Sequence, residues 1–317
     1  MTPSTFTLYT FYAFYAFGFA LLCALSMLLS RFLCRVARIE KPNFQNRVVP
    51  AAVGLTFLFV CAGVYLPLAL AGTTLGAAYA PSFLLVSVGF GILGVLDDKY
   101  GTRDTGGFRG HITALFRGKP TTGALKLIGG GALALVAAFL IYRTDWLRVV
   151  LAAAITALGA NALNLFDTRP ARAQFAFALL FAAPVTAATL ATLYAARFSA
   201  PLPDDILHLT PPGVLLGPAL VAAALEWWPD ARGKAMMGDT GSNLLGAVGG
   251  LALAVSLDPT TPLAALPHAA PSWSLAWHLE ALVVLLAINI AAEHVSFSAV
   301  IEKNRFLRAV DRSLGVR

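Results

Sequence analysis

Long apolar runs separated by short polar stretches set the pattern of this chain. Nine runs are long enough to cross a bilayer as helices: 7–33, 51–71, 80–96, 122–142, 146–166, 173–197, 211–227, 239–257 and 275–297. The 211–227 run is short and rich in Pro and Gly. After the ninth run, Val300, Ile301, Phe306, Leu307 and Val310 alternate with Lys303, Arg305, Arg308 and Arg312. That spacing predicts a basic amphipathic helix on the inner membrane surface. The expected fold is therefore an all-α polytopic membrane protein of about nine transmembrane helices. It divides into a transmembrane body, 1–298, and a cytoplasmic tail, 299–317.

Composition supports this reading. Of the 317 residues, 58% are hydrophobic and 12% charged, and the mean hydropathy is +0.74. Soluble domains carry about twice that share of charge. Cys23, Cys34 and Cys61 lie in or beside apolar runs with no CxxC spacing, so neither a disulfide framework nor a zinc site is expected.

The charges orient the chain. Basic residues follow the first apolar run at Arg31, Arg35, Arg38 and Lys41, and none precedes it, the reverse of a cleaved signal peptide. With the N-terminus outside and the C-terminus in the cytoplasm, 19 of the 23 Lys and Arg fall in cytoplasmic segments. The net charge of +7 then follows from topology and calls for no nucleic-acid partner.

In that topology four carboxylates share one membrane face. "GVLDDKYG" ends the third run with Asp97 and Asp98, "NALNLFD" ends the fifth with Asn161, Asn164 and Asp167, and "MMGDTGSN" opens the eighth with Asp239. Acids near bilayer depth are costly and mark functional sites. The Gly-rich turn before the eighth run suits an anion at a helix start. Carboxylates among cytoplasmic cations suit Mg²⁺ bound to a phosphate-bearing substrate.

"GILGVLDDKYG", "KLIGG", "NALNLFD" and "MGDTGSNLLGA", in that order, resemble the polyprenyl-phosphate N-acetylhexosamine-1-phosphate transferases, and "RVVPAAVGL" (47–55) resembles that family's first cytoplasmic loop. Phospho-N-acetylmuramoyl-pentapeptide transferase and the enzymes that start O-antigen and teichoic acid synthesis belong to it. The resemblance spans roughly 45–255. It implies transfer of a sugar-1-phosphate from a UDP-activated amino sugar to undecaprenyl phosphate, with release of UMP, in a bacterial cytoplasmic membrane. It also implies a role in cell-wall or surface-glycan synthesis, and relatives that dimerise make a homodimer unsurprising, although the sequence does not set the oligomeric state. By resemblance, Asp239 ligates Mg²⁺ with help from Asp98, and Asp97 deprotonates or orients the lipid phosphate. Asn161, Asn164, Asp167, Lys126 and Arg47 hold the substrate.

The chain departs from the family pattern at two places. Thr168 and Pro170 stand in "DTRPARA", where the family has D-G-x-D-G, and the family's histidine-rich loop and last span find no counterpart in this sequence, which leaves His294 as the candidate histidine. The cations of 99–119 and Lys303, Asn304 and Arg305 are the candidates to replace that loop. Two alternative readings stay open. One is a catalytically degenerate homologue that binds polyprenyl phosphate or a nucleotide sugar as a regulator or scaffold. The other is a transporter, for which inverted repeats would be expected.

Overall fold

The computed structural model describes residues 3–71, 79–101, 121–190, 213–256 and 271–316. Of the expected loop cations, those within 102–120 lie outside the described residues. The described chain is a helical bundle. Its elements in order are α1 (Pro3–Val36), a short antiparallel hairpin of β1 (Glu40–Pro42) and β2 (Val48–Pro50), α2 (Leu55–Leu70), α3 (Ala80–Tyr100), α4 (Thr122–Tyr142) and α5 (Trp146–Phe166). Then come α6 (Arg172–Leu190), α7 (Gly213–Ala231), α8 (Gly238–Ser256), α9 (Pro271–His294), α10 (Phe297–Lys303) and α11 (Arg305–Leu314). One π-helical turn, Ala178–Ala182, interrupts α6. It sits just ahead of Pro184, which lacks the N–H that an unbroken α-helix would donate to Leu180.

Six described helices are long and apolar enough to cross a membrane: α1, α3, α4, α5, α6 and α9. The chain is thus a helical, multi-pass membrane protein. The other three expected spans also form helices, α2, α7 and α8, but these are too short or too polar to qualify by length and composition. The reason for α8 is visible in its surroundings. Its first two turns carry Asp239, Thr240, Ser242 and Asn243, and every residue from Thr240 to Ser256 is buried. A helix wrapped by other helices needs no continuous lipid-facing surface.

Helix α8 is the axis of the bundle. It packs chiefly on α5 and α3, and more lightly on α7 and α2. Small residues permit this closeness. A Cβ on Gly246 would stand 2.2 Å from the Gly159 carbonyl oxygen, and one on Gly94 would stand 2.4 Å from the Thr240 Cα. Backbones that approach so nearly exclude any side chain at the crossing. By contrast α1 and α9 keep Phe17, Leu28, Phe32, Val283 and Ile290 exposed at the bundle surface, as lipid-facing residues should be.

The contacts sort helix ends onto two rims. On one rim, the end of α1 meets the start of α2 and the end of α7. Arg31 donates to Glu226 through both Nη1 (2.9 Å) and Nη2 (2.8 Å), Thr56 donates to the same carboxylate at 2.7 Å, and Ser30 lies 2.9 Å from Thr56. On the other rim, Tyr65 donates to the Leu215 carbonyl, and His278 lies 2.9 Å from the Ala254 carbonyl.

Candidate functional site

The Arg31 rim also gathers the acids. Asp97 and Asp98 occupy the last turn of α3, and successive helical residues point about 100° apart. One therefore faces α8 and the other faces α4. Asp98 is 6% exposed and accepts three hydrogen bonds from the first turn of α8. These come from the Asp239 N–H (3.0 Å), the Thr240 N–H (2.9 Å) and the Thr240 hydroxyl (2.6 Å). Asp98 thus caps α8 from a different helix, satisfying N–H groups that have no partner within their own helix and meeting the positive end of its dipole.

Gly238 makes this fit possible. It adopts φ +69°, and a Cβ there would lie 2.2 Å from the Ala51 carbonyl oxygen and 2.6 Å from Asp98 Oδ2. Both the left-handed backbone and the space require glycine. The chain before it is pinned to the start of α2, where Val53 and Gly54 donate to the carbonyls of Met236 and Met237, each at 3.1 Å.

Asp97 turns the other way. Lys126, near the start of α4, donates to Asp97 Oδ2 at 2.9 Å and also pairs with Asp239 Oδ2. The three side chains remain partly exposed, at 20% for Asp97, 20% for Lys126 and 25% for Asp239. One ammonium from α4 therefore joins carboxylates from α3 and α8 at an accessible spot. Two carboxylates against one cation leave the cluster net negative.

The expected metal site needs adjustment in one respect. Both oxygens of Asp98 are engaged by α8, so Asp98 is placed as a cap rather than as an open ligand. Asp97 and Asp239 are the carboxylates with access. Among the described residues, no group of three or more His, Cys, Asp or Glu forms a ready cage for a metal. Oxygen donors from one or two carboxylates, completed by substrate phosphates and water, are the usual Mg²⁺ arrangement. The ammonium between Asp97 and Asp239 already occupies a position where positive charge is stabilised, so the donor set fits such an ion.

The "NALNLFD" residues separate. Asn164 accepts from the Ser242 hydroxyl at 3.1 Å, beside the first turn of α8, so it supports the site's framework. Asn161 faces away and donates to Asn289 of α9 at 2.5 Å, while Asn289 in turn donates to the Leu158 and Leu285 carbonyls. That contact joins α5 to α9. Asp167 lies just past the end of α5. Burial, reinforced by the charges of Asp230, Asp239 and Asp98, pushes its carboxyl well above the ordinary carboxylate range. Arg47 sits exposed in the hairpin turn, where Asn43 accepts its N–H at 3.0 Å. Among the described residues its side chain forms no hydrogen bond or ion pair.

Sequence reading missed the groups that shape the 167–172 loop. Asp230 of α7, 3% exposed, accepts from the Ala171 N–H at 2.6 Å. Arg172 pairs with Asp311 of α11 through Nε (2.5 Å) and Nη2 (2.9 Å), and it donates to Ser298 (2.8 Å) and Thr168 (3.1 Å). The tail is therefore packed onto the body through Arg172. The available signal was the charges themselves: Glu226 within an apolar run, and Arg172 at the head of another, each had to find a partner. No protein-family model matches the chain, and no match was found among curated proteins.

Proposed function

We propose that the protein transfers a sugar-1-phosphate from a UDP-activated amino sugar to undecaprenyl phosphate, releasing UMP, with Mg²⁺ as cofactor. The observation that carries this reading is the meeting of Asp97, Lys126 and Asp239 at one accessible point on a membrane-protein rim. Phosphoryl transfer asks mainly for charge neutralisation and positioning. Mg²⁺, when bound, supplies the charge that a diphosphate requires. Asp239 holds the cation side of the site, and Asp98 keeps the first turn of α8 in register so that Asp239 and Thr240 keep their places. Asp97 orients the lipid phosphate and accepts its proton. Lys126 is already seated between Asp97 and Asp239.

The reading includes nine crossings, with the acid rim in the bacterial cytoplasm and the opposite rim outside. In support, the ends of α1, α3, α5 and α7 and the starts of α2, α4, α6 and α8 carry the acid-rim contacts, as alternate crossings require. Purified protein with Mg²⁺, undecaprenyl phosphate and a panel of UDP-sugars should release UMP. A folded protein that releases none with any sugar refutes the transferase reading.

A second reading rests on the 167–172 loop. Where the resembling family has an acid, this chain has Pro170, the neighbouring Ala171 N–H is held by Asp230, and the Arg172 side chain is held by Asp311. A catalytically silent homologue that binds nucleotide sugar or polyprenyl phosphate would tolerate this. Saturable UDP-sugar binding without UMP release would select it.

A further inference from the structure

Residues 297–316 are two-sided. Among the described residues, the inward side meets the body at Phe297, at Ser298 with Asp311, and at Val316. The Phe297 ring stacks on Phe166 at the end of α5, with centroids 5.1 Å apart and planes 12° apart. Ser298 and Asp311 bind Arg172, and the Val316 N–H donates to the Ala231 carbonyl at 2.8 Å. Arg172 and Asp311 are only 5% and 4% exposed at their side chains. Breaking so buried a pair would leave a charge without compensation, so the contact is a firm latch. All three points lie on the acid rim, and Arg172 is joined through Thr168 to the loop that begins at Asp167.

The outward side has a different character. Because Asp311 is turned inward, the accessible charges of α10 and α11 are Lys303, Arg305, Arg308 and Arg312 against Glu302 alone. Among them stand exposed apolar side chains: Phe306 at 73%, Val300 at 42% and Leu307 at 39%. Asn304 places Phe306 at the junction of the two helices, its side-chain oxygen accepting the N–H groups of Phe306 (3.0 Å) and Leu307 (3.1 Å). The strap starts at Phe297, three residues beyond the end of the membrane-spanning helix α9 at His294. A face that is basic, carries a protruding aromatic residue and begins at the bilayer boundary complements an acidic lipid leaflet.

We propose that residues 297–316 are an anionic-lipid-binding strap. Its outward face docks on an acidic leaflet, and its inward face holds the 166–172 loop through the Arg172–Asp311 latch. This proposal is independent of the reaction assigned above. A soluble acidic partner would match the charges but not the exposed Phe306, Leu307 and Val300, which the acyl boundary of a bilayer accommodates.

The test uses the full chain in nanodiscs of phosphatidylcholine, with and without phosphatidylglycerol. Cys23, Cys34 and Cys61 are buried, so Phe306→Cys provides a selectively labelled position for an environment-sensitive fluorophore. The label should shift to the blue and resist an aqueous quencher only with phosphatidylglycerol present. Arg305→Gln, Arg308→Gln and Arg312→Gln together should abolish the difference. A label exposed to water in both lipids, or equally protected in both, overturns the proposal; so does a difference that survives the triple substitution. Hydrogen exchange reads the inward side. Residues 166–172 should exchange more slowly with phosphatidylglycerol, and Asp311→Asn should remove that slowing while the fluorescence shift remains. Exchange that does not respond to lipid, or responds equally in Asp311→Asn, overturns the coupling.

Discussion

Asp98 and Thr240 are 142 residues apart, yet one carboxylate oxygen of Asp98 accepts both the backbone N–H and the hydroxyl of Thr240. Its other oxygen accepts the N–H of Asp239. Asp98→Ala would leave these buried donors without an acceptor, at about 1–3 kcal/mol. Asp98→Asn would turn an amide donor toward one of the same N–H groups and should also destabilise. Both substitutions are expected to lower the thermal midpoint in detergent, by about 2–4 °C per kcal/mol. An unchanged midpoint in both would remove the capping role.

Asp239 should behave differently. Its side chain is partly exposed and meets the Lys126 ammonium rather than a helix end, so Asp239→Asn keeps a similar size and loses the charge together with that accessible ion pair. The midpoint should stay near the parent value while UMP release falls by about 10²–10³-fold, the usual scale for removing one preorganised electrostatic contact. Chelation of divalent cations should produce a comparable loss in the parent protein. Full turnover by Asp239→Asn, or indifference to chelator, would contradict the metal role.

Asp167 makes a pH prediction. Burial and its acidic neighbours raise its carboxyl in the folded state. Its ionised form therefore weighs against folding above the raised value, and the penalty disappears as pH falls below the unfolded value of about 4. Asp167→Asn should raise the thermal midpoint at neutral and mildly alkaline pH, and the gain should shrink toward zero as the pH approaches 4. A constant gain across that range would assign the effect to packing instead.

Orientation is open to direct labelling, because the native cysteines are buried. A cysteine at the exposed Thr144, between α4 and α5, should react with a membrane-impermeant reagent added to intact cells. One at Asn46 or Glu302, on the acid rim, should not. The opposite pattern would place the acids outside the cell and end the proposal that they meet cytoplasmic UDP-sugars.

What the sequence determined by itself is the lipid-facing architecture. The bilayer accepts only long, continuous apolar segments whose backbones are satisfied internally, so α1, α3, α4, α5, α6 and α9 are written in composition and length. The candidate acids were legible for the same reason, since Asp97, Asp98 and Asp239 interrupt runs in which charge is costly. Tertiary structure alone decided their division of labour. Asp97 and Asp98 are neighbours with the same chemistry, and only the close approach of α3 to α8 at Gly94 sends Asp98 under the first turn of α8 and leaves Asp97 to Lys126. Asn161 and Asn164 lie one turn apart on α5, but α9 takes one and α8 the other. The tail's amphipathic pattern was readable, whereas its latch was not. Arg172 and Asp311 are 139 residues apart, and their pairing arises where α5, α6 and α11 converge, a place no local periodicity marks.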